Sequence, residues 1–269
     1  KLEQGINGNL EDENVIDIVV LKEEAKVKQS DLVKVNGRLS EYKSHFYNNQ
    51  DGRITNMKIA SQTLDGIVLM PGETFSYNEL IGETTPEKGY ALANTYADNK
   101  IVPDYGGGIC QVSTALYRAV MRANIRSVER TNHSMMVSYS EPSLDATVAN
   151  GYIDYKFKNT YDSPIYIEAY VLSDNVTINI YGNLNEKGNR TYELVSEIHD
   201  TYKFDTEYEE DNTMKVGEEV VIRNGMNGHE SSSYLITYEN GIEVNREKIS
   251  TDYYAKSNKV IKRGTNNEW

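Results

Sequence analysis

The chain has 269 residues and is acidic, with 28 Lys and Arg against 41 Asp and Glu and a formal net charge of −13. That balance, with no Lys/Arg-rich run, excludes nucleic acid and anionic membrane surfaces as natural partners, and the length suits one or two domains. A single cysteine, Cys110, excludes an internal disulfide and a thiolate metal cluster, and the dispersed His45, His133, His199 and His229 lack ligand spacing, so no metal is expected.

The sequence starts at Lys1 and reads as a piece of a longer protein. Its longest apolar stretch, Ile18-Val19-Val20-Leu21, is far short of the roughly 20 residues a membrane-spanning helix needs. Tyrosine is abundant (21) and phenylalanine scarce (4), which fits a wet, strand-rich surface protein. Sparse cysteine agrees equally with an exported and a cytosolic protein.

In chain order, Val15–Leu21 is the first convincing strand, followed by polar sequence that reads as the trailing edge of an upstream region. Asp51-Gly52 then precedes Arg53–Leu64, where Ile54, Met57, Ala60 and Leu64 recur at helical spacing and Gly66 closes the helix. A short strand, Ile67–Met70, runs into the turn Pro71-Gly72, and Ser76-Tyr77-Asn78-Glu79 has the spacing of a capping box. Asp98-Asn99 reads as a hairpin tip between two extended runs. After Gly106-Gly107-Gly108, the positions Ala115, Leu116, Ala119, Val120 and Ala123 form the apolar stripe of an amphipathic helix, with Asn124 as its terminator. Ile165–Leu172, the turn Ser173-Asp174-Asn175 and the alternating Val176, Ile178 and Ile180 make a hairpin. The polar run through Asn189 is a linker or domain edge. Beyond it Tyr192–Ile198, Glu219–Ile222, Ser233–Tyr238 and Ile242–Lys248 are short strands between glycine turns, a small all-β module expected to fold by itself.

The chemistry concentrates at Cys110, in the stretch "GGGICQVSTALY". A thiol at a helix N-terminus faces unpaired backbone N–H groups and the positive end of the helix dipole, both of which favour the thiolate. The glycines permit backbone conformations closed to other residues, and amides near Gly107 and Gly108 form a nest able to receive an oxyanion. A thiolate still needs a base, and His133, in a segment returning after the helix, is the best candidate. Other readings stand beside these on chemistry alone. Cys110 is also read as buried filler, His133 as a hydrogen-bonded structural residue and Asp145 as a turn or cap. Arg53 and Asn56 are read as a solvated helix face, and Tyr77, Tyr90, Tyr96 and Tyr105 as packing or groove lining.

Three blocks, "MPGETFSYNELIG", "YGGGICQVSTALYRAVMRANIRSVERTNHS" and "LDATVANGYIDYKFKN", occur in an order that resembles the VanW domain, from about Leu39 to Asn183. The tail resembles a G-five domain, whose glycines would be Gly217, Gly225, Gly228, Gly241 and Gly264. The strand Val15–Leu21 resembles the end of a peptidoglycan-binding region. The resemblance divides the chain into an upstream tail (1–38), a VanW domain (39–187) and a G-five module (188–269). The fold class expected is an α+β catalytic domain, a mixed sheet with a cysteine-bearing helix, followed by a small all-β module.

The resemblance further implies an extracellular protein of a Gram-positive cell wall, a monomer tethered to the cytoplasmic membrane through an upstream segment. Members of the family have been associated with L,D-transpeptidation, which joins peptidoglycan stem peptides by three-to-three cross-links through the motif cysteine. Here that cysteine is Cys110 and the "NHS" histidine is His133. No cofactor is implied. Arg53, Asn56, Gln111, Ser134 and Asp145 are candidates for substrate-binding or orienting residues, with no established role carried over. The S-H-G-C pattern of the better-known L,D-transpeptidases is absent, so kinship with them is one of function. A cysteine carboxypeptidase or endopeptidase, and a non-catalytic wall-binding protein, are the alternatives.

Overall fold

The computed structural model describes residues 25–47, 51–97 and 100–267. The expected strand Val15–Leu21, the hairpin tip Asp98-Asn99 and the Tyr96 side chain lie outside the described residues. The chain opens with α1 (Gln29–Leu32), β1 (Gly37–His45), α2 (Asp51–Leu64), β2 (Ile67–Leu69), β3 (Thr74–Ser76) and α3 (Tyr77–Ile81). It continues through β4 (Leu92–Ala97), β5 (Lys100–Tyr105), α4 (Ile109–Arg122), β6 (Ser127–Glu129), β7 (Lys156–Lys158), β8 (Ile165–Leu172), β9 (Asn175–Gly182) and α5 (Leu184–Lys187). The remainder is all strand: β10 (Arg190–Tyr202), β11 (Thr206–Lys215), β12 (Glu219–Arg223), β13 (Gly228–Glu239), β14 (Ile242–Tyr254) and β15 (Lys259–Asn266).

An α+β region with a cysteine-bearing helix is thus followed by an all-β region. In place of one mixed sheet, the described residues of the first region form three antiparallel ones, ordered β1-β9-β8-β2, β3-β7-β6 and β4-β5. The alternation read in β9 is real, since Val176, Ile178 and Ile180 are buried against α4, while Ile165, Ile167 and Ala169 of β8, a strand that packs on α2, are buried as well. The turn between them places Ser173 at φ 55°, the left-handed conformation a tight turn needs. The Ser76 side chain accepts the Glu79 N–H at 3.1 Å, the forward half of the expected capping box.

Helix α4 differs from its sequence reading. It is buried all round from Gln111 to Met121 rather than along one face. Sheet β1-β9-β8-β2, α2, β6 and β10 all pack on it. Side-chain hydroxyls of the helix and of the strand packed on it bond to backbone. The Ser40 hydroxyl donates to the Ala119 carbonyl at 2.6 Å and ties β1 to the helix. The Ser113 hydroxyl donates to the Ala146 carbonyl at 2.6 Å, while the Thr114 hydroxyl accepts the Ala146 N–H at 3.1 Å. Those two bonds clamp the segment around Asp145 onto the helix that carries the cysteine. Asn124, at φ 60°, ends the helix as expected.

The C-terminal region has two three-stranded sheets, β10-β13-β14 (antiparallel) and β11-β15-β12, in which β11 runs parallel to β15. Leu194 of β10 and Leu235 of β13 join the same buried cluster as Leu116, Val120 and Ile180. The module's first sheet therefore leans on α4. Among the described residues no helix is long and apolar enough to cross a membrane.

Candidate active site

Cys110 is the second residue of α4 and is half-buried. Gly108 caps the helix at φ 112°, a left-handed conformation that costs an L-residue about 1–2 kcal/mol. Gly107 is needed for a different reason. A Cβ there would lie 2.8 Å from the carbonyl oxygens of Ala93 and Asn94, so the glycine lets the turn press against β4. Asn56 locks this arrangement. Its Nδ2 donates to the carbonyls of Gly107 (3.0 Å) and Ala91 (2.9 Å), and its Oδ1 accepts the Ala91 N–H at 2.8 Å. The solvated-face reading of Asn56 is thereby corrected: it is fully buried with its amide committed to backbone, and it holds the loop rather than a substrate.

The Ile109 and Gln111 amides donate to the carbonyls of Gly106 and Gly108, and the Cys110 amide lies between them in the first turn, beside the thiol. The thiol itself donates to the Val148 carbonyl at 3.4 Å and lies 3.8 Å from the Thr147 hydroxyl. Only the neutral thiol can make the bond to Val148. Burial pushes the Cys110 thiol up, but hydrogen bonding to His133 and its positive charge outweigh this and bring the thiol below its ordinary 9.0.

His133 sits in the segment that follows β6, where the chain returns to the start of α4. Its Nδ1 lies 2.5 Å from Asp145 Oδ2, which also accepts the His133 backbone N–H at 2.8 Å. The carboxylate is an acceptor, so Nδ1 carries the proton and Nε2 is left for exchange with the thiol. The Tyr139 hydroxyl lies 3.2 Å from that Nε2. Burial favours the neutral ring, but the bonds to Asp145 and Cys110 prevail and hold the imidazole up at about 9. Asp145 is 1% exposed, which corrects its reading as a turn or cap residue. Burial alone would raise its carboxyl, yet His133, Arg130 and Tyr254 hold it below the usual carboxylate range. Cys110, His133 and Asp145 are therefore brought together in an arrangement that nucleophile, base and orienting acid would need.

Around this set, Arg53 donates from Nη2 to Gln111 Oε1 at 3.0 Å and lies over the Tyr139 ring at 5.7 Å. Gln111 is buried and donates to the Ser44 hydroxyl and the His45 carbonyl, so it aims Arg53 from within the core. Ser134 is exposed and contributes its carbonyl, which accepts the Ala255 N–H at 2.7 Å. Tyr77 is a buried packing residue whose hydroxyl donates to the Ile109 carbonyl at 3.1 Å, and Tyr90 is also buried. Tyr105 is exposed. Sequence reading missed Tyr139, Arg130, Asp252 and Tyr254. Of these only Tyr139 and Arg130 fall near the histidine motif, where a tyrosine and an arginine flanking it are the available signal.

Comparison with known proteins gives two family matches: "VanW like protein" over residues 52–181 and "G5 domain" over residues 194–266. The uncharacterized protein YoaR of Bacillus subtilis (strain 168) is 36% identical over 146 residues, 54% of this chain and 48% of that protein. The vancomycin B-type resistance protein VanW of Enterococcus faecalis (strain ATCC 700802 / V583) is 32% identical over 119 residues, 42% of this chain and 43% of that protein. The chain thus spans about half the length of the curated relatives it matches. Among solved structures, the G5 domain of an IgA1 protease aligns with 25% identity and a TM-score of 0.20, covering 30% of this chain and 96% of that one.

Proposed function

We propose, from the premise that this chain carries a VanW-like domain followed by a C-terminal G5 domain, that it is a cysteine acyltransferase acting on peptidoglycan stem peptides at the cell surface. The observation that carries the reading is the half-buried Cys110 at a helix N-terminus, its thiol lowered by a histidine that a buried carboxylate orients. A cysteine that merely fills a core gap has no use for that pairing. The name of the enterococcal relative, a vancomycin resistance protein, supports the wall as the place of action.

In this reading the Cys110 thiolate attacks the carbonyl of the diaminopimelate residue in a donor tetrapeptide. The new C–S bond forms as the carbonyl oxygen takes negative charge, which the Cys110 amide stabilises, joined by the amides of Gly107 and Gly108. The C–N bond then breaks, and His133 Nε2 gives its proton to the departing D-Ala amine. A thioester remains. The side-chain amine of an acceptor stem attacks it, loses a proton to His133, and restores the thiolate as the three-to-three cross-link forms. Arg53 makes no ion pair with a described carboxylate, and its position beside the nucleophile suits it to a stem carboxylate.

The test is incubation with a disaccharide-tetrapeptide, read by mass spectrometry of protein and products. D-Ala release, a thioester on Cys110 and dimers linked between diaminopimelate residues are expected. Cys110→Ala should abolish all three, and His133→Ala should lower release and dimers by about 100-fold or more. Release without dimers would make the protein a hydrolase, and dimers from Cys110→Ala would overturn the mechanism.

A further inference from the structure

Asp145 divides its two oxygens between two parts of the molecule. Oδ2 serves His133 alone, through both the ring and the backbone N–H. Oδ1 faces the other way. There it accepts the Tyr254 hydroxyl at 2.5 Å and Arg130 Nη2 at 3.2 Å. Tyr254 is the last residue of β14, 1% exposed, and its oxygen also accepts the Ser143 N–H at 2.6 Å. Arg130 is nearly buried; its Nε donates to the Asp145 carbonyl at 2.7 Å and its Nη1 to Asp252 Oδ2 at 2.6 Å. Asp252 and Tyr254 are two apart on one strand, so both point to the same side of the sheet, toward the VanW-like domain.

The loop that carries the histidine is sewn to the same strand end. Asn132 Nδ2 donates to the Tyr253 carbonyl at 2.9 Å, and the Ala255 N–H donates to the Ser134 carbonyl at 2.7 Å. These two bonds bracket His133. The buried charges also close as a set: Arg130 lies between Asp145 and Asp252, and His133 against Asp145. Removing the strand's contribution would leave Arg130 with one carboxylate instead of two and Asp145 without its neutral donor.

We infer that the G5 domain is a working part of the active site: Tyr254 positions Asp145 directly, Asp252 positions it through Arg130, and His133 is thereby aimed by a strand outside the VanW-like domain. The inference rests on the reading of Cys110, His133 and Asp145 as a catalytic set. Tyr254 and Asp252 are positioning residues, since neither reaches the thiol. The design has a physical logic. A carboxylate bonded on one oxygen only can rotate about its Cα–Cβ and Cβ–Cγ bonds, and the imidazole rotates with it; filling the second oxygen from a separate sheet fixes both. It also makes the site sensitive to how the G5 domain seats.

The experiment compares Tyr254→Phe, Asp252→Asn and Asp252→Glu in the full chain, each checked for native circular dichroism. The first readout needs no peptidoglycan: the pH profile of Cys110 alkylation by iodoacetamide. Tyr254→Phe keeps the ring and loses the bond to Asp145, so the profile should move up by about one pH unit as the hold of His133 on the thiolate loosens. In D-Ala release, kcat should fall about ten- to hundredfold with KM unchanged, the scale of one lost hydrogen bond to a charged group. Asp252→Asn should act in the same direction, and Asp252→Glu should recover part of the loss by restoring the charge opposite Arg130. If Tyr254→Phe does not fold, the Asp252 pair decides. Folded variants whose alkylation profiles superimpose on that of the unaltered protein would overturn the inference. A shifted alkylation profile in a protein that releases no D-Ala would instead leave the positioning intact and sink the substrate reading.

Discussion

Which atom holds which proton decides what Cys110 can do. Burial works against both charged forms, yet Asp145 and Cys110 hold the His133 ring up at about 9, and His133 draws the Cys110 thiol below 9.0. At neutral pH the imidazole is then held protonated, and its charge draws the thiol toward the thiolate. Cys110 should react with iodoacetamide at pH 6–7 faster than an ordinary thiol, whose pKa is about 8.5, and His133→Ala should remove the advantage. An inert thiol that reacts only in denaturant would point to packing instead. The pair also has a signature in stability. His133, raised from 6.5, contributes stability fully present below 6.5 and lost as pH rises through about 9. Cys110, lowered, contributes stability present above its unfolded value of 9.0 and lost as pH falls through its lower folded value. Above both 6.5 and the folded thiol's lowered value, and below about 9, the loss from one is offset by the gain from the other, because there folded and unfolded pairs each hold one proton. The thermal midpoint should therefore be flat across that window. In Cys110→Ser only the His133–Asp145 part survives, so the midpoint should decline as pH rises above 6.5. A flat curve in both proteins would contradict the ion pair. Cys110 and His133 were legible as candidates because a motif surrounds each. Asp145 was legible only as one of five binding or orienting candidates, since an aspartate between leucine and alanine has no local mark; what places it beside His133 is Ser113 and Thr114 gripping Ala146 from the helix.

Between the residue and the molecule stand the elements that aim the chemistry. Helix α2, helix α4 and the β8–β9 hairpin were readable because their apolar residues keep a helical or two-residue period. Strand β1 was not. Of its buried positions Leu39 is apolar but Ser40 and Ser44 are polar, and they are buried to bond α4 and Gln111. Strand β11 is exposed along nearly its whole length, so no period was there to read. The glycine turn before α4 was legible as special, but its cause is mixed: backbone conformation at Gly108, and close packing at Gly107. This gives a sharp test. In Gly108→Ala the new Cβ would adopt φ 112° and lie 3.0 Å from Arg53 Cγ and 3.1 Å from Met57 Cγ. Strain and crowding together should cost about 1–3 kcal/mol of stability. They should also push Arg53 off Gln111 and slow Cys110 alkylation, since the helix start carries the thiol. Denaturant unfolding and alkylation rates measure the two effects. A Gly108→Ala protein as stable and as reactive as the parent would mean that this backbone conformation does nothing for the site.

At the scale of the whole molecule, the sequence suggests two pieces where the structure has a shared interior. The change of character at Leu184–Asn189 is real, for strands follow one another without interruption beyond it. What composition could not reveal is that Leu194 and Leu235 are buried in the cluster built around α4, or that Tyr254 and Asp252 close on Asp145 from the far end of the chain. Contacts between residues so distant in sequence leave no local pattern. They do have a thermodynamic consequence. Leu194 is 2% exposed, and Leu194→Ala should cost about 2–5 kcal/mol, the range for truncating a buried leucine. If the two regions share a core, that loss is felt by both. Calorimetry of the full chain should show one endotherm, which the substitution lowers by several degrees without splitting, and Cys110 should become reactive to bulky thiol reagents at the same lowered temperature. If the C-terminal strands instead melt alone, Leu194→Ala should produce an early transition that leaves the Cys110 exposure temperature unchanged. That outcome would return the G5 domain to the status of an independent attachment, because a sheet that can leave without disturbing α4 cannot be what aims His133.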